Sequence, residues 1–213
     1  MLALIGGGAH TPGTCMLKFS EACERNKEPI LQVLQSCFSD RSQVLEIGSG
    51  SGQHAVYFAS HLPRLIWQPT ERAPELASLN ERVQLARSPN LQPAIELDVG
   101  RHPWPSLAAD AIFSANTFHI MSWEDVVTLL QRAAELLPPA GVLAVYGPFH
   151  YGGEHTADSN RQFDISLKRR DPLSGIRDAQ EVQRVAGDLG LKLEADHAMP
   201  ANNRVLVFRK AAD

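Results

Sequence analysis

Residues 44–54 read VLEIGSGSGQH, an apolar run that carries one carboxylate and leads through three alternating glycines into a helix-like segment. The run has the length of one buried strand, and glycines directly after a strand permit a tight turn. Ligands of an open parallel sheet bind beyond the carboxyl ends of its strands, which is where Gly48, Gly50 and Gly52 fall. The start of a helix there also offers unpaired backbone N–H groups. This stretch therefore predicts a ligand-binding loop at the end of the first strand.

Strand-like and helix-like segments alternate along most of the chain. The predicted strands before the C-terminal region span residues 43–47, 65–70, 94–97, 111–115 and 142–146. The helical patterns span residues 53–61, a segment opened by Ala73, about 123–137 with Ser122 as the cap, and about 179–189. Such alternation is typical of a parallel sheet with helices on both faces.

The C-terminal region departs from this alternation. Two strand-like runs, residues 191–198 and 204–209, follow one another without a helix and are joined by the short PANN turn. Consecutive strands of this kind pair as an antiparallel hairpin. The predicted fold is therefore α/β and Rossmann-like, a seven-stranded, mostly parallel sheet with helices on both faces and a C-terminal antiparallel hairpin.

Composition limits the kinds of binding partner and the cellular compartment that we expect for this protein. The 213 residues carry a formal net charge of −4, which offers no overall footprint for nucleic acid, and no apolar run reaches the length of a membrane span. Three cysteines without CxxC spacing or a histidine cluster favour a reduced, cytoplasmic protein without a metal site. We predict one domain over residues 19–213, with residues 1–18 as a flexible extension and an insertion at about residues 149–174.

Two classes of cofactor compete for the glycine loop. A dinucleotide site has the pattern G-x-G-x-x-G, whose third glycine allows close helix packing beneath a pyrophosphate. Gln53 stands at that third place, and Glu46, two residues before the first glycine, is an unfavourable neighbour for a pyrophosphate. S-adenosylmethionine has an ammonium, a sulfonium and a ribose diol and no phosphate, so a carboxylate suits it better. An NAD-dependent oxidoreductase remains the alternative.

The arrangement E-x-G-x-G-x-G after an apolar strand resembles the first motif of class I S-adenosylmethionine-dependent methyltransferases. Polar residues at the ends of the next three strands follow the order of that family, and the terminal hairpin is also shared with it. The resemblance implies that Glu71 accepts both ribose hydroxyls, that Asp98 lies beside the adenine amino group and that Asn116 lines the methionine end. Glu46 and the three glycines complete the implied cofactor site.

A narrower resemblance covers about residues 19–210. It rests on the segments SEACERNKEPIL, HPWP, NTFHIMSWE, FDISLKRRDPLSGIRD and MPANN, which together look like the methyltransferase-like 26 group. That group has no settled substrate. The resemblance therefore implies a fold and a cofactor, and it leaves the reaction open.

The residues that face a methyl acceptor are expected on loops above the strand ends. Methyl transfer requires the nucleophile to be aligned with the methyl group, and a protonated nucleophile also needs a base. His119, three residues beyond Asn116, and His150 with Tyr151, beyond the fifth strand, are the catalytic candidates. Each histidine could instead make only a hydrogen bond that stabilises its loop. A small-molecule acceptor is predicted because a basic face is missing, and a non-catalytic module that only binds the cofactor is a further alternative.

The segment before the first strand is predicted to contain a helix that Pro29 begins and that runs to about Phe38. Arg25, Asn26 and Lys27 then occupy an irregular turn. In class I enzymes this segment commonly folds over the cofactor, so the resemblance implies that Arg25 or Asn26 holds the methionine carboxylate. A solvated surface turn is the alternative.

Two later segments are given simpler interpretations. Asn202 and Asn203 are predicted to adopt left-handed turn conformations, which Asn tolerates and which require no ligand. Phe163 and Leu167, at i,i+4 spacing, predict a short helix whose apolar side closes the site.

Overall fold

A computed structural model describes residues 17–101, 104, 106 and 108–212. The helices in this part of the chain are α1 (Glu21–Cys37), α2 (Gln53–His61), α3 (Ala73–Ala86), α4 (Trp123–Leu136), α5 (Asp158–Arg170) and α6 (Ala179–Asp188). The strands are β1 (Gln43–Ile47), β2 (Ile66–Glu71), β3 (Ile95–Glu96), β4 (Ala111–Ala115), β5 (Val142–Tyr151), β6 (Glu154–His155), β7 (Arg177–Asp178), β8 (Leu191–Met199) and β9 (Asn203–Lys210). A 3₁₀ turn, Pro200–Asn202, joins β8 to β9.

The strands form one sheet whose main path runs β3-β2-β1-β4-β5-β9-β8. Strands β1 to β5 are parallel along this path, and β9 is antiparallel to both β5 and β8. The predicted α/β fold with a C-terminal antiparallel hairpin is confirmed. Strand order reverses between β1 and β4, so the glycine loop after β1 lies at the switch point where open α/β sheets bind ligands.

The core occupies both faces of the sheet because successive side chains of a strand point to opposite sides. Val44 belongs to a cluster that packs against α1, α2 and α3, whereas Leu45 belongs to a second cluster that packs against α4 and α6. Both side chains are fully buried. Among the described residues, no helix combines the length and the apolar character needed to cross a membrane.

Helix α1 begins eight residues before Pro29, so the prediction of an irregular turn at residues 25–27 is wrong. Ser20 caps the helix by accepting a hydrogen bond from the Cys23 N–H. A proline inside a helix costs about 3 kcal/mol relative to alanine. Burial of Ile30 and Leu34, both 0% exposed, contributes about 1.5–3 kcal/mol for each side chain and offsets that cost.

Strand β5 extends to Tyr151, five residues beyond its predicted end at residue 146. The added residues pair with the two short strands, since His150 lies opposite His155 and Phe149 lies beside Arg177. The segment predicted as an insertion therefore contains the end of a core strand, and Phe149 is fully buried. Most of the predicted extension, residues 1–16, lies outside the described part of the chain.

Candidate functional site

All three glycines of the loop have positive φ angles, +70° at Gly48, +54° at Gly50 and +76° at Gly52. Side-chain-bearing residues are strained in this left-handed region. A Cβ at Gly48 would lie 2.7 Å from Thr117 Cγ2, and one at Gly52 would lie 2.6 Å from Leu79 Cδ1. A Cβ at Gly50 would meet no atom within 4 Å. Two of the glycines thus allow close packing beneath the loop, and the middle one faces open space.

Glu71, the last residue of β2, holds the glycine loop in place. Its Oε2 accepts the Gly50 N–H at 2.7 Å, and its Oε1 accepts the Arg72 N–H at 2.9 Å. The side chain is buried, yet it lines two adjoining cavities. The carboxylate therefore anchors the loop and also faces the space where a ligand would lie.

The larger of these cavities has a volume of about 900 Å³. It lies between the glycine loop, the first half of α1, the loop after β4, helix α5 and the turn between β8 and β9. The residues predicted for the site that line it are Arg25, Asn26, Gly48, Gly50, Glu71, Asn116 and His119. The fold thus brings seven of the twelve predicted site residues to one cavity.

The smaller cavity, of about 230 Å³, contains the predicted adenine neighbour. Asp98 lines it two residues beyond the end of β3, together with Gly48 and Glu71, which also line the larger cavity. An oxygen of Asp98 accepts the Gly100 N–H at 3.3 Å, which orients the carboxylate at the start of a turn. The cofactor residues expected at the ends of β2 and β3 therefore meet in one place.

Asn116, directly after β4, has a φ of +59°. Its N–H donates to the carbonyl of Tyr146 at 2.8 Å, which ties the loop after β4 to β5. A non-glycine residue in this region is uncommon, and such residues concentrate at functional sites. The hydroxyls of Ser114 and Thr117 lie 2.6 Å apart, and Ser114 also donates to the Ile47 carbonyl. These bonds fasten the loop after β4 to the end of β1.

Glu46 lies beneath the glycine loop and is 2% exposed. Its Oε2 accepts the Trp67 indole N–H at 2.8 Å, and it is not among the described residues that line either cavity. Burial raises the pKa of this carboxyl to about 7, and bonds from Trp67 and Ser49 oppose the rise. Gly52 is likewise absent from both linings, and a Cβ at this position would point at Leu79 and Arg82 of α3.

Helix α1 is fastened over the loop by Gln53, the residue that replaces the third glycine of a dinucleotide motif. Its Oε1 accepts the Ser20 N–H at 2.6 Å, and its Nε2 donates to the Ser20 carbonyl at 3.3 Å and to Glu24 Oε1 at 2.8 Å. Ser51 also donates to Gln53 Oε1. These bonds hold the first turn of α1 over the loop, and Asn26, two residues beyond Glu24, lines the cavity.

Asn26 belongs to a buried polar cluster on the cavity wall. His54 Nε2 lies 2.7 Å from Asn26 Oδ1, and the hydroxyl of Tyr146 lies beside the side chains of Asn26 and Asn203. Burial lowers the pKa of His54 to about 4, so its ring is neutral and donates to the amide oxygen of Asn26. The ring also stacks on Phe58 with centroids 5.2 Å apart.

His119 reaches the cavity from the loop after β4. It is 7% exposed, and its ring meets Phe163 edge to face with centroids 5.3 Å apart. Burial, with smaller effects of Arg177 and Arg170, lowers the pKa of His119 to about 4. Arg177 holds this loop through its guanidinium, which donates to the carbonyls of Phe118 at 3.0 Å and of Met121.

The structure does not bring His150 and Tyr151 to His119, and neither lines the cavity within the described residues. The Tyr151 hydroxyl donates to Asp196 Oδ2 at 2.7 Å, and burial together with this carboxylate raises the tyrosine pKa to about 12. His150 Nδ1 lies 3.3 Å from Asp178 Oδ2. The extra length of β5 carries both side chains past the cavity, His150 toward Asp178 of β7 and Tyr151 toward Asp196 of β8.

Comparisons with known proteins place the chain in a family and identify its fold. A family model described as "Protein of unknown function (DUF938)" matches residues 17–210. The chain belongs to this family.

Solved structures with the same fold as this DUF938 chain include O-methyltransferases and an S-adenosylmethionine-dependent methyltransferase. An O-methyltransferase family protein from Burkholderia thailandensis matches with a TM-score of 0.75 at 14% identity, over 90% of this chain and 58% of that one. An O-methyltransferase family 2 protein from Planctomyces limnophilus, solved with apigenin, matches with a TM-score of 0.76 at 15% identity, over 89% and 58%.

Human N-acetylserotonin methyltransferase, solved in complex with SAM, matches with a TM-score of 0.65 at 15% identity, over 90% of this chain and 58% of that one. Identities at this level establish the fold alone. The DUF938 chain therefore has the class I methyltransferase fold, and it spans somewhat more than half the length of these three proteins.

Sequence patterns do not identify several residues that line the cavity of the DUF938 chain. Asn203 has a φ of −89° rather than a left-handed conformation, and its side chain contributes to the cavity wall. Tyr146 lies inside the apolar run of β5, where it resembles an ordinary core residue. The helical spacing of Phe163 and Leu167 does predict α5, and Phe163 lines the cavity. No sequence signal marks Asn203 or Tyr146, because both act only where β5, β9 and α1 meet.

Proposed function

We propose that this protein is an S-adenosylmethionine-dependent methyltransferase that acts on a small-molecule acceptor. One observation carries the proposal. Glu71 accepts a hydrogen bond from the glycine loop and lines both adjoining cavities. A carboxylate in this position suits the ribose diol of S-adenosylmethionine, which lies between the adenine and the methionine end of that cofactor. The donor set fits the cofactor, since hydroxyl groups of a ribose donate to a carboxylate and the loop supplies no cation for a phosphate.

The cofactor residues divide between the two cavities. Asp98 and Glu71 would hold the adenosine part in the smaller cavity, and Asn116 and Asn26 would line the methionine end in the larger one. Arg25 pairs with Glu21 at 3.4 Å on the exposed face of α1, and such exposed pairs are weak. Its guanidinium is therefore available to the methionine carboxylate.

Glu46 would act from beneath the loop rather than by contact. Its pKa of about 7 leaves the carboxyl close to half ionised near neutral pH. A cationic ligand above Gly48 and Gly50 favours the ionised form, so the buried carboxylate would add electrostatic attraction for an ammonium or a sulfonium.

When bound, S-adenosylmethionine supplies an electrophilic methyl group. The residues of this chain would orient the acceptor beside Asn116, exclude water beneath α1 and accept a hydrogen bond at His119. His150 and Tyr151 have no part in this proposal, because they lie away from the cavity. The volume of about 900 Å³ is that of a site for a small molecule together with its cofactor, and the apigenin complex of one structural neighbour agrees with an acceptor of this size.

Isothermal titration tests the proposal. We expect saturable binding of S-adenosylmethionine and S-adenosylhomocysteine and no binding of NAD. Binding of NAD without either S-adenosyl ligand would contradict the proposal and favour the oxidoreductase. The structure gives that alternative no support at Gln53, whose side chain is engaged with α1.

A second experiment separates an enzyme from a non-catalytic binding module. Purified protein is incubated with cell extract and a radiolabelled methyl donor, and label is sorted into small-molecule, protein and RNA fractions. We expect label in the small-molecule fraction. Binding of the cofactor without any labelled product would favour the module, and labelled RNA would contradict the acceptor class. Membership of the methyltransferase-like 26 group and a cytoplasmic location stay predictions.

A further inference from the structure

One wall of the main cavity indicates which chemical class of methyl acceptor would bind there. It is contributed by β5, the loop after β4, helix α5 and the start of β9. We call this wall the acceptor compartment, and it comprises His119, Ile120, Tyr146, Asn160, Phe163 and Asn203. The inference drawn from it rests on the proposed function and concerns the chemical class of the methyl acceptor.

Large apolar side chains stand exposed at the mouth of the cavity. Phe19 is 67% exposed, Ile120 is 53% exposed and Phe163 is 37% exposed, and all three line the cavity. Exposed apolar side chains that gather around a cavity mark a binding site rather than ordinary surface. Phe163 lies at an interplanar angle of 69° to the His119 ring, so the two rings form a corner against which a flat ring can pack.

The acceptor compartment contains no charged side chain when His119 is neutral. The charged residues of the described cavity lining are Lys18, Arg25 and Glu71. Lys18 pairs with Glu75, Arg25 is proposed to hold the methionine carboxylate, and Glu71 is bonded to the glycine loop. An acceptor with a charge of either sign would lose its hydration here without gaining a partner, which is costly. The compartment therefore selects an uncharged acceptor.

His119 offers the polar contact. Its side chain is buried, faces the cavity, and makes no hydrogen bond to any other group in the part of the chain that the structure describes. The His119 nitrogens are not among the fully enclosed, unpaired side-chain atoms of the described residues, so they are open to a hydrogen-bond partner within the cavity. Because burial lowers the pKa of His119 to about 4, its ring is neutral and accepts a hydrogen bond from a hydroxyl.

Acidity decides which kind of hydroxyl suits such a weak base. A phenol has a pKa of about 10, about six units higher than the pKa of about 4 of the His119 ring. An aliphatic hydroxyl resembles water, whose pKa of about 15.7 is roughly twelve units higher than that of the ring. Loss of the proton to His119 is therefore far less unfavourable for a phenol.

We propose that the acceptor compartment binds an uncharged, flat aromatic ring with a hydroxyl group, the ring packed on Phe163 and Ile120 and the hydroxyl donating to His119. In the reaction, the oxygen–methyl bond forms as the carbon–sulfur bond breaks, and the electron pair of that bond passes to the sulfur. The hydroxyl proton passes to His119 and from there to water.

Binding of three matched probes tests this assignment. The probes are 2-naphthol, decahydro-2-naphthol, which is neither flat nor acidic, and 6-hydroxy-2-naphthoate, which adds a charge. Each is titrated into the protein with and without saturating S-adenosylhomocysteine. We expect saturable binding of 2-naphthol, with dissociation constants at least tenfold higher for the other two. Equal affinity for either analogue, or no saturable binding of 2-naphthol in both states, would overturn the assignment.

Variants identify where the probe binds. Phe163→Ala, on an exposed part of α5, is expected to weaken 2-naphthol binding at least tenfold and to leave the affinity for S-adenosylhomocysteine unchanged. The matched control is Leu85→Ala, an apolar side chain of α3 that is 65% exposed away from the cavity, which should change neither affinity. Unaltered 2-naphthol binding in Phe163→Ala would contradict the assignment.

The two proposals fail in different ways. Binding of S-adenosylhomocysteine without binding of 2-naphthol would overturn the acceptor class and leave the methyltransferase proposal standing. Binding of 2-naphthol that depends on Phe163, without binding of S-adenosylhomocysteine or S-adenosylmethionine, would support the aromatic subsite and contradict the methyltransferase proposal.

Discussion

The side chain of Gln53 pairs with the backbone of Ser20 at both its N–H and its carbonyl, at 2.6 and 3.3 Å. These residues are 33 positions apart, and the pairing joins the start of α2 to the start of α1. Gln53, which stands where a dinucleotide motif has its third glycine, is therefore also the residue that fastens α1 over the glycine loop. The cavity exists in this form because the two helix starts are held together.

We expect Gln53→Ala to release the first turns of α1. It removes the two bonds to Ser20 and the bond to Glu24, and each such bond contributes about 1 kcal/mol to stability. Amide hydrogen exchange at residues 21–26 should accelerate, and the affinity for S-adenosylhomocysteine should fall at least fivefold, because binding must then order the helix. Gln32→Ala, at an exposed position of the same helix, is the control. Unchanged exchange at residues 21–26 would show that the pairing does not hold α1.

Substitutions of Glu71 separate loop anchoring from cofactor binding. Glu71→Ala removes the acceptor for the Gly50 N–H and the proposed partner of two ribose hydroxyls. Hydrogen bonds to a charged group contribute about 1.5–3 kcal/mol each, so titration should show cofactor affinity reduced at least tenfold.

The matched variant is Glu71→Gln, whose amide oxygen can still accept the Gly50 N–H. Its amide NH2 cannot accept the Arg72 N–H, so we expect a smaller loss of stability than in Glu71→Ala, measured in a thermal melt, together with a loss of cofactor affinity. If Glu71→Ala binds S-adenosylhomocysteine as tightly as the parent does, the proposed roles of Asp98 and Asn116 are also contradicted, because they follow from the same strand ends.

Alanine at two glycines should have two different effects. Both substitutions place a side chain at positive φ, which costs about 1–2 kcal/mol. Gly48→Ala also forces a Cβ to within 2.7 Å of Thr117, and overpacking of this kind costs about 1–3 kcal/mol more. Gly50→Ala meets no neighbour, so it should fold with the smaller loss and instead weaken cofactor binding. Urea unfolding and titration measure the two effects, and equal losses of stability would contradict the geometry of the loop.

The buried carboxyl of Glu46 should make stability depend on pH. Its folded-state pKa is raised from 4.5 to about 7, so the folded state binds its proton more tightly than the unfolded state does. The resulting stabilisation is complete below pH 4.5 and is lost as the pH rises through 7, with a total of up to about 3 kcal/mol.

Glu46→Gln removes this titration and keeps an oxygen acceptor for Trp67. We expect the variant to be more stable than the parent by up to about 3 kcal/mol at pH 8.5 and to match it near pH 4.5. Urea unfolding across this range measures the difference. His54 and His119 titrate in the opposite sense in both proteins, since their pKa values are lowered to about 4, and their effect cancels in the comparison. A difference that does not vary with pH would contradict the burial of an ionisable carboxyl.

Tyr151 and His119 should respond differently to substitution. Tyr151→Phe removes the hydrogen bond to Asp196, which costs about 1.5–3 kcal/mol of stability, and should leave methyl transfer unchanged because the hydroxyl lies outside the cavity. His119→Ala should keep the affinity for S-adenosylhomocysteine and lower turnover. The measurement is the rate of S-adenosylhomocysteine formation beside a thermal melt. Loss of turnover in a folded Tyr151→Phe variant would restore the catalytic role predicted for Tyr151 from the sequence.

Local patterns determine much of the fold. The apolar run and its three glycines identify β1 and α2 with the bounds that the structure shows, Gln43–Ile47 and Gln53–His61. Ser122 likewise caps α4, where its hydroxyl accepts the Asp125 N–H at 3.0 Å. These features depend on backbone preferences and apolar periodicity, which are properties of neighbouring residues.

Only the tertiary structure decides which side chains meet. Pro29 reads as the start of a helix, yet buried residues beyond it and the Ser20 cap extend α1 toward the N-terminus. Glu71 is recognisable at a strand end, whereas Tyr146 and Asn203 reach the cavity only because β5 pairs with β9. The physical reason is that such contacts join residues far apart in the chain, where burial and hydrogen bonding outweigh the local preferences that a sequence pattern records.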